Sequence, residues 1–302
     1  MSADQQIEVF DRASVRRHRD RAAAGLERFD FLHCEIADRL ADRLLDVARP
    51  FPRALELGAR GGRFAALRGN RGGIEQLVQC DLSPAMLRTA GGARVACDEE
   101  WLPFAPASFD LVLSCLSLHW VNDLPGALVQ IRRSLKPDGL FLAALLGGET
   151  LTELRQALLI AEAELTGGAS PRVSPFAGLP DAGALMQRAG FALPVVDGDR
   201  LTLTYADPFA LMHELRGLGE SNAVKERQRG ATRRAVIARA AALYHERFAD
   251  TDGRIPATFD VVYLTGWAPH ESQQQPLKPG SAQSRLADAL DTLERPAGDK
   301  AG

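Results

Sequence analysis

The stretch "RALELGARGGRFAAL" at Arg53–Leu67 decides the fold, because an apolar run passes through a glycine-rich turn into a helical pattern. Gly58, Gly61 and Gly62 leave the backbone of the turn uncovered and permit positive φ angles. In a doubly wound α/β sheet, this first strand-to-helix turn lies where a ligand approaches the carboxyl ends of the strands. Arg60 stands in the middle of the turn, where a side chain would compete with a ligand for space.

Outward from this turn, short apolar segments alternate with helical patterns, which predicts parallel strands covered on both faces. The predicted strands are Ala54–Leu57, Leu77–Cys80, Leu111–Ser114 and Leu140–Leu146, and the helices between them are Gly62–Arg68, Ala85–Ala90 and Gly126–Leu135. The predicted fold class is therefore α/β, with a doubly wound, Rossmann-like sheet.

The chain divides into three predicted parts. Residues 1–50 form a helical segment, residues 51–271 form the α/β domain, and residues 272–302 form a disordered tail rich in Gln, Pro, Gly and Ser. Helical patterns at about residues 149–180 and 207–253 predict cap insertions over the sheet. The last predicted elements are a helix at Asp181–Ala189 and strands at Arg200–Tyr205 and Thr258–Ala268.

The composition is that of a globular protein, with 46% hydrophobic and 25% charged residues among 302. A net charge of −3 argues against nucleic acid as a partner. The basic stretch "RASVRRHRDRAA" at Arg12–Ala23 is interpreted as a solvated helix face. No apolar run has the length of a membrane-spanning segment and no signal peptide is visible, so we expect a cytoplasmic location. The four cysteines form no C-x-x-C pair and are expected to be buried thiols.

Carboxylates follow the tips of successive predicted strands. Asp81 ends the second strand, a position suited to gripping two ribose hydroxyls. Ser83 offers a structural alternative as the cap of a helix that begins at Pro84, and both roles can coexist. Glu56 can accept a hydrogen bond just before the turn, and Asp98, after the third strand, can accept from an adenine amino group.

With "ELGARGG", Asp81, "DEEWLPF", "FDLVLSCLSLHW" and "LKPDG", the chain resembles the class I S-adenosylmethionine-dependent methyltransferases. The resemblance implies a seven-stranded sheet and S-adenosylmethionine as the cofactor. The cofactor-binding residues that we infer are Glu56, Gly58, Gly61, Gly62, Asp81, Leu82, Asp98, Glu99 and Ser114.

A narrower resemblance extends over nearly the whole chain. "LSLHWVNDLPGAL", "LKPDGLFLAALLGGETLTELR", "LMHELRGLGESNA" and "IPATFDVVYLTGW" are similar to the family of the mitochondrial complex I assembly factor with a methyltransferase fold. That family is implied to hydroxylate an arginine in the quinone-site subunit of complex I. The resemblance implies a bacterial relative that acts on a protein substrate, with transient association with a membrane complex but without a membrane segment of its own.

The predicted acceptor side consists of His119, Trp120 and Glu220. A histidine can act as a base and a tryptophan face can hold a cation. Packing is the structural alternative for His119 and Trp120, and a helix-stop role is the alternative for Glu220.

Arg60 departs from the family pattern, which usually has glycine at this position. Three outcomes stay open: the loop reorganises around Gly61, affinity for the cofactor falls, or Arg60 engages the methionyl carboxylate.

No metal site is predicted, because the "HCE" side chains at His33–Glu35 diverge on a helix. Hydroxylation therefore follows from the resemblance alone. Two other functions stay open: methylation of a small or carrier-bound carboxylate, as in biotin synthesis, and a non-catalytic complex I assembly chaperone.

Overall fold

The computed structural model describes residues 8–274, 286–289 and 291–293. The chain forms two compact units, Met1–Pro269 and His270–Gly302. Most of the predicted tail at residues 272–302 lies outside the described residues. Within the part of the chain that the structure describes, no helix is long and apolar enough to cross a membrane.

A seven-stranded sheet forms the centre of the first unit. Its strands are β1 Arg53–Leu57, β2 Gln76–Asp81, β3 Ala93–Ala96, β4 Phe109–Cys115, β5 Leu135–Leu146, β6 Ala192–Tyr205 and β7 Ile255–Trp267. The order is β3-β2-β1-β4-β5-β7-β6, with parallel pairing from β3 to β5 and antiparallel pairing of β7 with both β5 and β6. The predicted α/β fold class is confirmed, and the antiparallel strand β7 makes the sheet mixed.

Helices cover both faces of this sheet. They are α1 Arg12–Ala22, α2 Phe31–Asp42, α3 Arg63–Leu67, α4 Pro84–Thr89, α5 Leu124–Ser134, α6 Thr152–Thr166, α7 Leu179–Arg188, α8 Pro208–Leu218 and α9 Arg234–Phe248, and the second unit contains α10 Leu286–Ala289. Side chains of β1, β4 and β5 alternate between two hydrophobic clusters, one with α2, α6 and α9 and the other with α5 and α7. Burial on both faces explains why apolar residues predominate in these strands.

The start of α4 confirms that Ser83 caps this helix. The Ser83 hydroxyl accepts a hydrogen bond from the backbone N–H of Met86 at 3.1 Å, and Pro84 occupies the first turn. The backbone N–H of Ser83 donates to Asp81 at 2.8 Å. The cap therefore fixes the carboxylate at the tip of β2.

The predicted cap regions contain α6, α8 and α9. Helix α6 packs on α9 and also on β7. Between α6 and α7 the chain runs without regular secondary structure from Gly167 to Gly178. These segments lie over the carboxyl end of β5, where they enclose the cavity that is described below.

Candidate functional site

The glycine turn after β1 packs against the chain that follows β4. Gly58 has a φ of 72°, and a Cβ atom at this position would lie 2.2 Å from the Ser117 side chain. Only glycine therefore fits here, both for its φ and for the close approach. Arg60 adopts a φ of 44°, so the loop keeps a left-handed conformation at the position where the family has glycine. Gly61, the next residue, is left-handed as well, with a φ of 80°.

Two predicted carboxylates meet in front of this turn. Asp81 is fully buried at the end of β2, and its Oδ2 accepts from the backbone N–H of Arg60 at 3.1 Å. Glu99, after β3, is fully buried as well, and its Oε1 accepts from the Ser117 hydroxyl at 2.6 Å. The structure thus brings the tips of β2 and β3 to the glycine turn.

A guanidinium from α1 fills the space between these carboxylates. Arg19 is fully buried, with Nη1 3.0 Å from Glu99 Oε1 and 3.4 Å from Asp81 Oδ1. Its Nη2 donates to the Ser117 hydroxyl at 2.8 Å. The expectation of a solvated helix face was wrong for this side of α1, because a buried carboxylate pair requires a cation.

Arg12 repeats the pattern one step nearer to the surface. It donates to Asp98 Oδ1 at 2.5 Å, and it also pairs with Glu99. Seven residues separate Arg12 from Arg19, so both lie on the same face of α1. All three predicted acids after β2 and β3 are therefore paired with arginines of one helix.

The charges in this group hold one another ionised. Burial by itself would raise the pKa of Glu99, but the neighbouring Arg19 and Arg12 outweigh burial and hold that pKa well below its usual value. Burial by itself would lower the pKa of Arg19, but Asp81 and Glu99 outweigh it and raise that pKa. The carboxylates and Arg19 form one charged cluster, and removal of any one of these side chains would destabilise the folded protein.

This cluster decides how well S-adenosylmethionine fits. The bare glycine turn and the acids at the strand tips are the right kinds of group for it. However, Arg19 occupies the place between Asp81, Glu99 and Ser117 where the nucleoside would reach the turn. With α1 in this position, the cofactor cannot reach these acids unless Arg19 leaves them.

The other predicted cofactor residues lie beneath or beside the turn. Glu56 is fully buried and accepts from Gln79 Nε2 at 2.8 Å, and burial raises its pKa to about 8. Ser114 donates to the carbonyl of Leu57 at 2.9 Å. Leu82 packs against a small apolar cluster that includes Trp120. Their roles in cofactor binding stay predictions.

Two of the predicted acceptor-side residues, His119 and Trp120, contact the third, Glu220, which follows α8. Glu220 Oε2 accepts from Trp120 Nε1 at 2.6 Å and lies 3.3 Å from His119 Nε2. Glu220 Oε1 pairs with Arg60 Nη1 at 2.5 Å. Arg60 also donates to the carbonyl of Leu218 at 2.8 Å. The arginine of the glycine turn is therefore directed at the acceptor side rather than at the acids of β2 and β3.

The protonation of this cluster follows from its surroundings. Burial alone would raise the pKa of Glu220, but Arg60 and His119 outweigh burial and hold that pKa well below its usual value. Burial lowers the pKa of His119, so its ring is neutral near pH 7. Since a carboxylate only accepts, neutral His119 donates from Nε2 and keeps an unprotonated Nδ1. Nδ1 is buried and has no partner among the described residues.

The cluster forms part of the wall of a cavity of about 240 Å³. Most of the remaining lining is apolar and comes from α2, α6, α8, the segment after α6 and the ends of β5 and β7. The apolar lining residues are Leu32, Leu116, Leu146, Leu151, Leu154, Leu158, Val173, Phe176, Met212, Leu215, Leu218 and Phe259. A mostly apolar cavity with a few converging polar groups is the usual form of a ligand site.

His33 also lines this cavity, and it was not predicted to be functional. It is buried, and neither ring nitrogen has a hydrogen-bond partner among the described residues. Burial lowers its pKa to about 3, so the ring is neutral. The described residues contain no cluster of three or more His, Cys, Asp or Glu side chains that could hold a metal.

Sequence reasoning missed Arg12, Arg19 and Ser117. For the two arginines a signal was present, since a spacing of seven places both on one face of a helix. For Ser117 the sequence contains no comparable signal, because the contact of its side chain with Gly58 arises only in the folded structure.

The sheet order and the glycine turn define a class I S-adenosylmethionine-dependent methyltransferase fold. A family model described as "Methyltransferase domain" matches residues 55–143. A solved structure of phosphoethanolamine N-methyltransferase 2 from Haemonchus contortus, in complex with S-adenosyl-L-methionine, shares the fold. It has a TM-score of 0.51 and 17% identity, and the match covers 85% of this chain and 60% of that chain.

Two relatives are similar over most of their length. Arginine-hydroxylase NDUFAF5, mitochondrial, from Danio rerio is 44% identical over 95% of this chain and 91% of the relative. The malonyl-[acyl-carrier protein] O-methyltransferase of Laribacter hongkongensis is 38% identical over 89% of this chain and 94% of the relative. The chain belongs to the class I methyltransferase-fold enzyme family that contains these two proteins.

Proposed function

We propose that this chain is an S-adenosylmethionine-dependent enzyme that modifies a protein side chain admitted to the cavity beside Glu220. The target implied by the resemblance is an arginine in the quinone-site subunit of respiratory complex I, modified during assembly. The similarity to proteins named arginine hydroxylase supports this reading. The observation that carries it is the meeting of Arg60, His119, Trp120 and Glu220 at one wall of a buried cavity.

The chemistry of these residues suits an acceptor that must lose a proton. When bound, the cofactor would supply an activated methyl group. Glu220 orients His119 through Nε2, in the way that a carboxylate orients the histidine of a hydrolase triad. The lone pair on Nδ1 is then available to accept a proton from an acceptor nitrogen or oxygen. The ring of Trp120, fixed by its hydrogen bond to Glu220, can pack against a planar cation.

The apolar wall has two consequences for the reaction. It excludes water from the acceptor, and it lets the few polar groups act in a medium of low dielectric constant. Glu220 stays ionised in that medium because Arg60 and His119 outweigh the effect of burial on its pKa. We therefore assign the Arg60–Glu220 pair the role of keeping the orienting carboxylate charged.

One observation favours a second function, the methylation of a carrier-bound carboxylate. Arg60, Arg172 and Arg216 all line the cavity; Arg60 is paired with Glu220 and Arg172 with Glu162, whereas Arg216 has no ion pair among the described residues. One unpaired guanidinium at the wall suits an anionic acceptor more than a cationic one. A relative named malonyl-[acyl-carrier protein] O-methyltransferase supports this alternative.

Mass spectrometry of the quinone-site subunit from a strain that lacks the gene tests the proposal. In the parent strain, an arginine that is heavier by about 16 Da indicates hydroxylation and one heavier by about 14 Da indicates methylation. The proposal requires that either mark disappear in the deletion strain and return with the gene. An arginine of unchanged mass in both strains would remove this target, and purified protein that methylates a malonyl thioester would establish the second function instead.

A further inference from the structure

We propose that α1 closes the cofactor site of the free protein, with Arg19 as an internal counter-ion that S-adenosylmethionine replaces. This inference rests on the proposed cofactor. It follows from the disagreement between the acids, which suit a cofactor, and the buried guanidinium that already lies among them. The enzyme then exists in two arrangements, one with Arg19 in the site and one with the cofactor there.

The electrostatics of the site require such an exchange of cations. Asp81 and Glu99 are fully buried, so removal of Arg19 alone would leave Asp81 without a counter-charge and Glu99 with Arg12 as its remaining cationic partner among the described residues. A buried charge that loses its partner costs several kcal/mol. S-Adenosylmethionine carries a sulfonium, an ammonium and a carboxylate group, so its single net positive charge can replace the charge that Arg19 takes away. A ligand without a cation could not.

Arg12 makes the closure a property of the helix rather than of one side chain. It pairs with Asp98 and Glu99 through a guanidinium that is 14% exposed. Because both arginines extend from the same face of α1, a cofactor that claims all three acids displaces the helix as a unit. Two further arginines of α1, Arg16 and Arg17, have exposed side chains.

Displacement of α1 also affects the acceptor side. The backbone N–H of Asp11 donates to Ala223 O at 2.8 Å, and His18 Nδ1 lies 3.1 Å from Ser221 O. Arg227 donates to the Ser14 hydroxyl at 2.7 Å. The segment that α1 contacts begins directly after Glu220. Occupancy of the cofactor site is thereby coupled to the wall of the cavity, which favours cofactor binding before the acceptor is positioned.

Hydrogen exchange of the full-length protein with and without S-adenosylmethionine tests the displacement. We expect the amides of α1 to exchange faster when the cofactor is bound, while those of the glycine turn exchange more slowly. Exchange in α1 that slows with the cofactor would overturn the inference, because α1 would then cover the cofactor rather than yield to it.

Calorimetric titration of variants with S-adenosylmethionine tests the competition. If α1 is closed in about 90% of molecules, Arg19→Gln tightens the apparent Kd about tenfold. Arg16→Gln, which removes an exposed guanidinium of the same helix that pairs with Asp20 outside the acid cluster, is the control and should bind like the parent. Weaker binding by folded Arg19→Gln would overturn the inference and make Arg19 a cofactor ligand.

Two further outcomes are decisive. If Arg19→Gln fails to fold by circular dichroism, Arg12→Gln serves instead, and it too must bind more tightly than Arg16→Gln for the inference to stand. If the parent and every folded variant show no binding, the proposed cofactor is wrong and the closure falls with it. Binding without any difference among the variants leaves the proposed function intact but refutes the closure.

Discussion

Arg60 and Glu220 form a buried ion pair at 2.5 Å that joins the glycine turn after β1 to the segment after α8. The pair connects two regions that are 160 positions apart in the chain. This pair explains how a bulky residue is tolerated in the turn. The backbone of Arg60 adopts a left-handed conformation that is usual for glycine, and its side chain extends away from the turn towards Glu220.

Breaking this pair from one side should be costly. Arg60→Gly leaves Glu220 nearly buried and unpaired, for which we expect a loss of about 3 kcal/mol, partly offset by about 1 kcal/mol from the relief of the left-handed φ. Urea unfolding of Arg60→Gly, Glu220→Gln and the double variant measures the coupling. The double variant should lose at least about 1 kcal/mol less than the sum of the single losses. Strictly additive losses would show that the two side chains do not interact.

Glu220 should matter for activity beyond its effect on stability. Glu220→Gln keeps the shape of the side chain but removes the charge that orients His119, and we expect the modification rate to fall at least about a hundredfold. The rate is measured as reappearance of the modified residue after induction of the gene in the deletion strain. Glu226→Gln, an exposed change in the same segment, is the control. Equal rates for both variants would exclude Glu220 from the reaction.

Glu56 should make stability depend on pH. Its pKa is raised from an ordinary 4.5 to about 8, so the folded protein binds a proton that the unfolded chain lacks between these values. The stabilising effect is complete below pH 4.5 and is lost as the pH rises towards 8. Relative to Glu56→Gln, the parent should lose up to about 1.4 kcal/mol of unfolding free energy per pH unit in this window. Parallel stability curves for the two proteins would contradict a neutral Glu56.

His33 should destabilise the protein that contains it. A buried ring without partners costs about 1–3 kcal/mol, so His33→Leu should raise the thermal midpoint by roughly 2–4 °C for each kcal/mol that is relieved. His245→Leu, an exposed change on α9, should leave the midpoint unaltered. A lower midpoint for His33→Leu would mean that the imidazole is paired in the folded protein.

Much of the sheet could be predicted because burial on both faces leaves a direct trace in sequence. Apolar residues dominate the predicted runs at β4 and β5, and both runs lie within the observed strands. Strand β6 begins at Ala192, well before the predicted Arg200. The first half of this strand was not predicted because Pro194 and Gly198 are unusual in strands. An edge strand tolerates such residues, whereas a central strand excludes them.

The residues of the candidate site could be predicted one by one, but their contacts could not. Asp81 and Glu220 were predicted from position and resemblance and their roles stay predictions, whereas the pairing of Asp81 with Arg19 and of Glu220 with Arg60 was not predicted. The burial of Arg19 depends on carboxylates that are 62 and 80 positions away, and no local pattern reports such distances. Long-range ion pairs therefore determine which face of the basic helix α1 is exposed to solvent.

The proposed function depends above all on the strand tips around Asp81 binding the adenosyl group of S-adenosylmethionine. A crystal structure of the full chain grown with saturating S-adenosylmethionine tests it most directly. We predict the nucleoside in front of Gly58, held by Asp81 and Asp98, with Arg19 displaced. Crystals in which those acids still pair with Arg12 and Arg19, and no nucleoside lies at the turn, would contradict the claim and favour a non-catalytic assembly role.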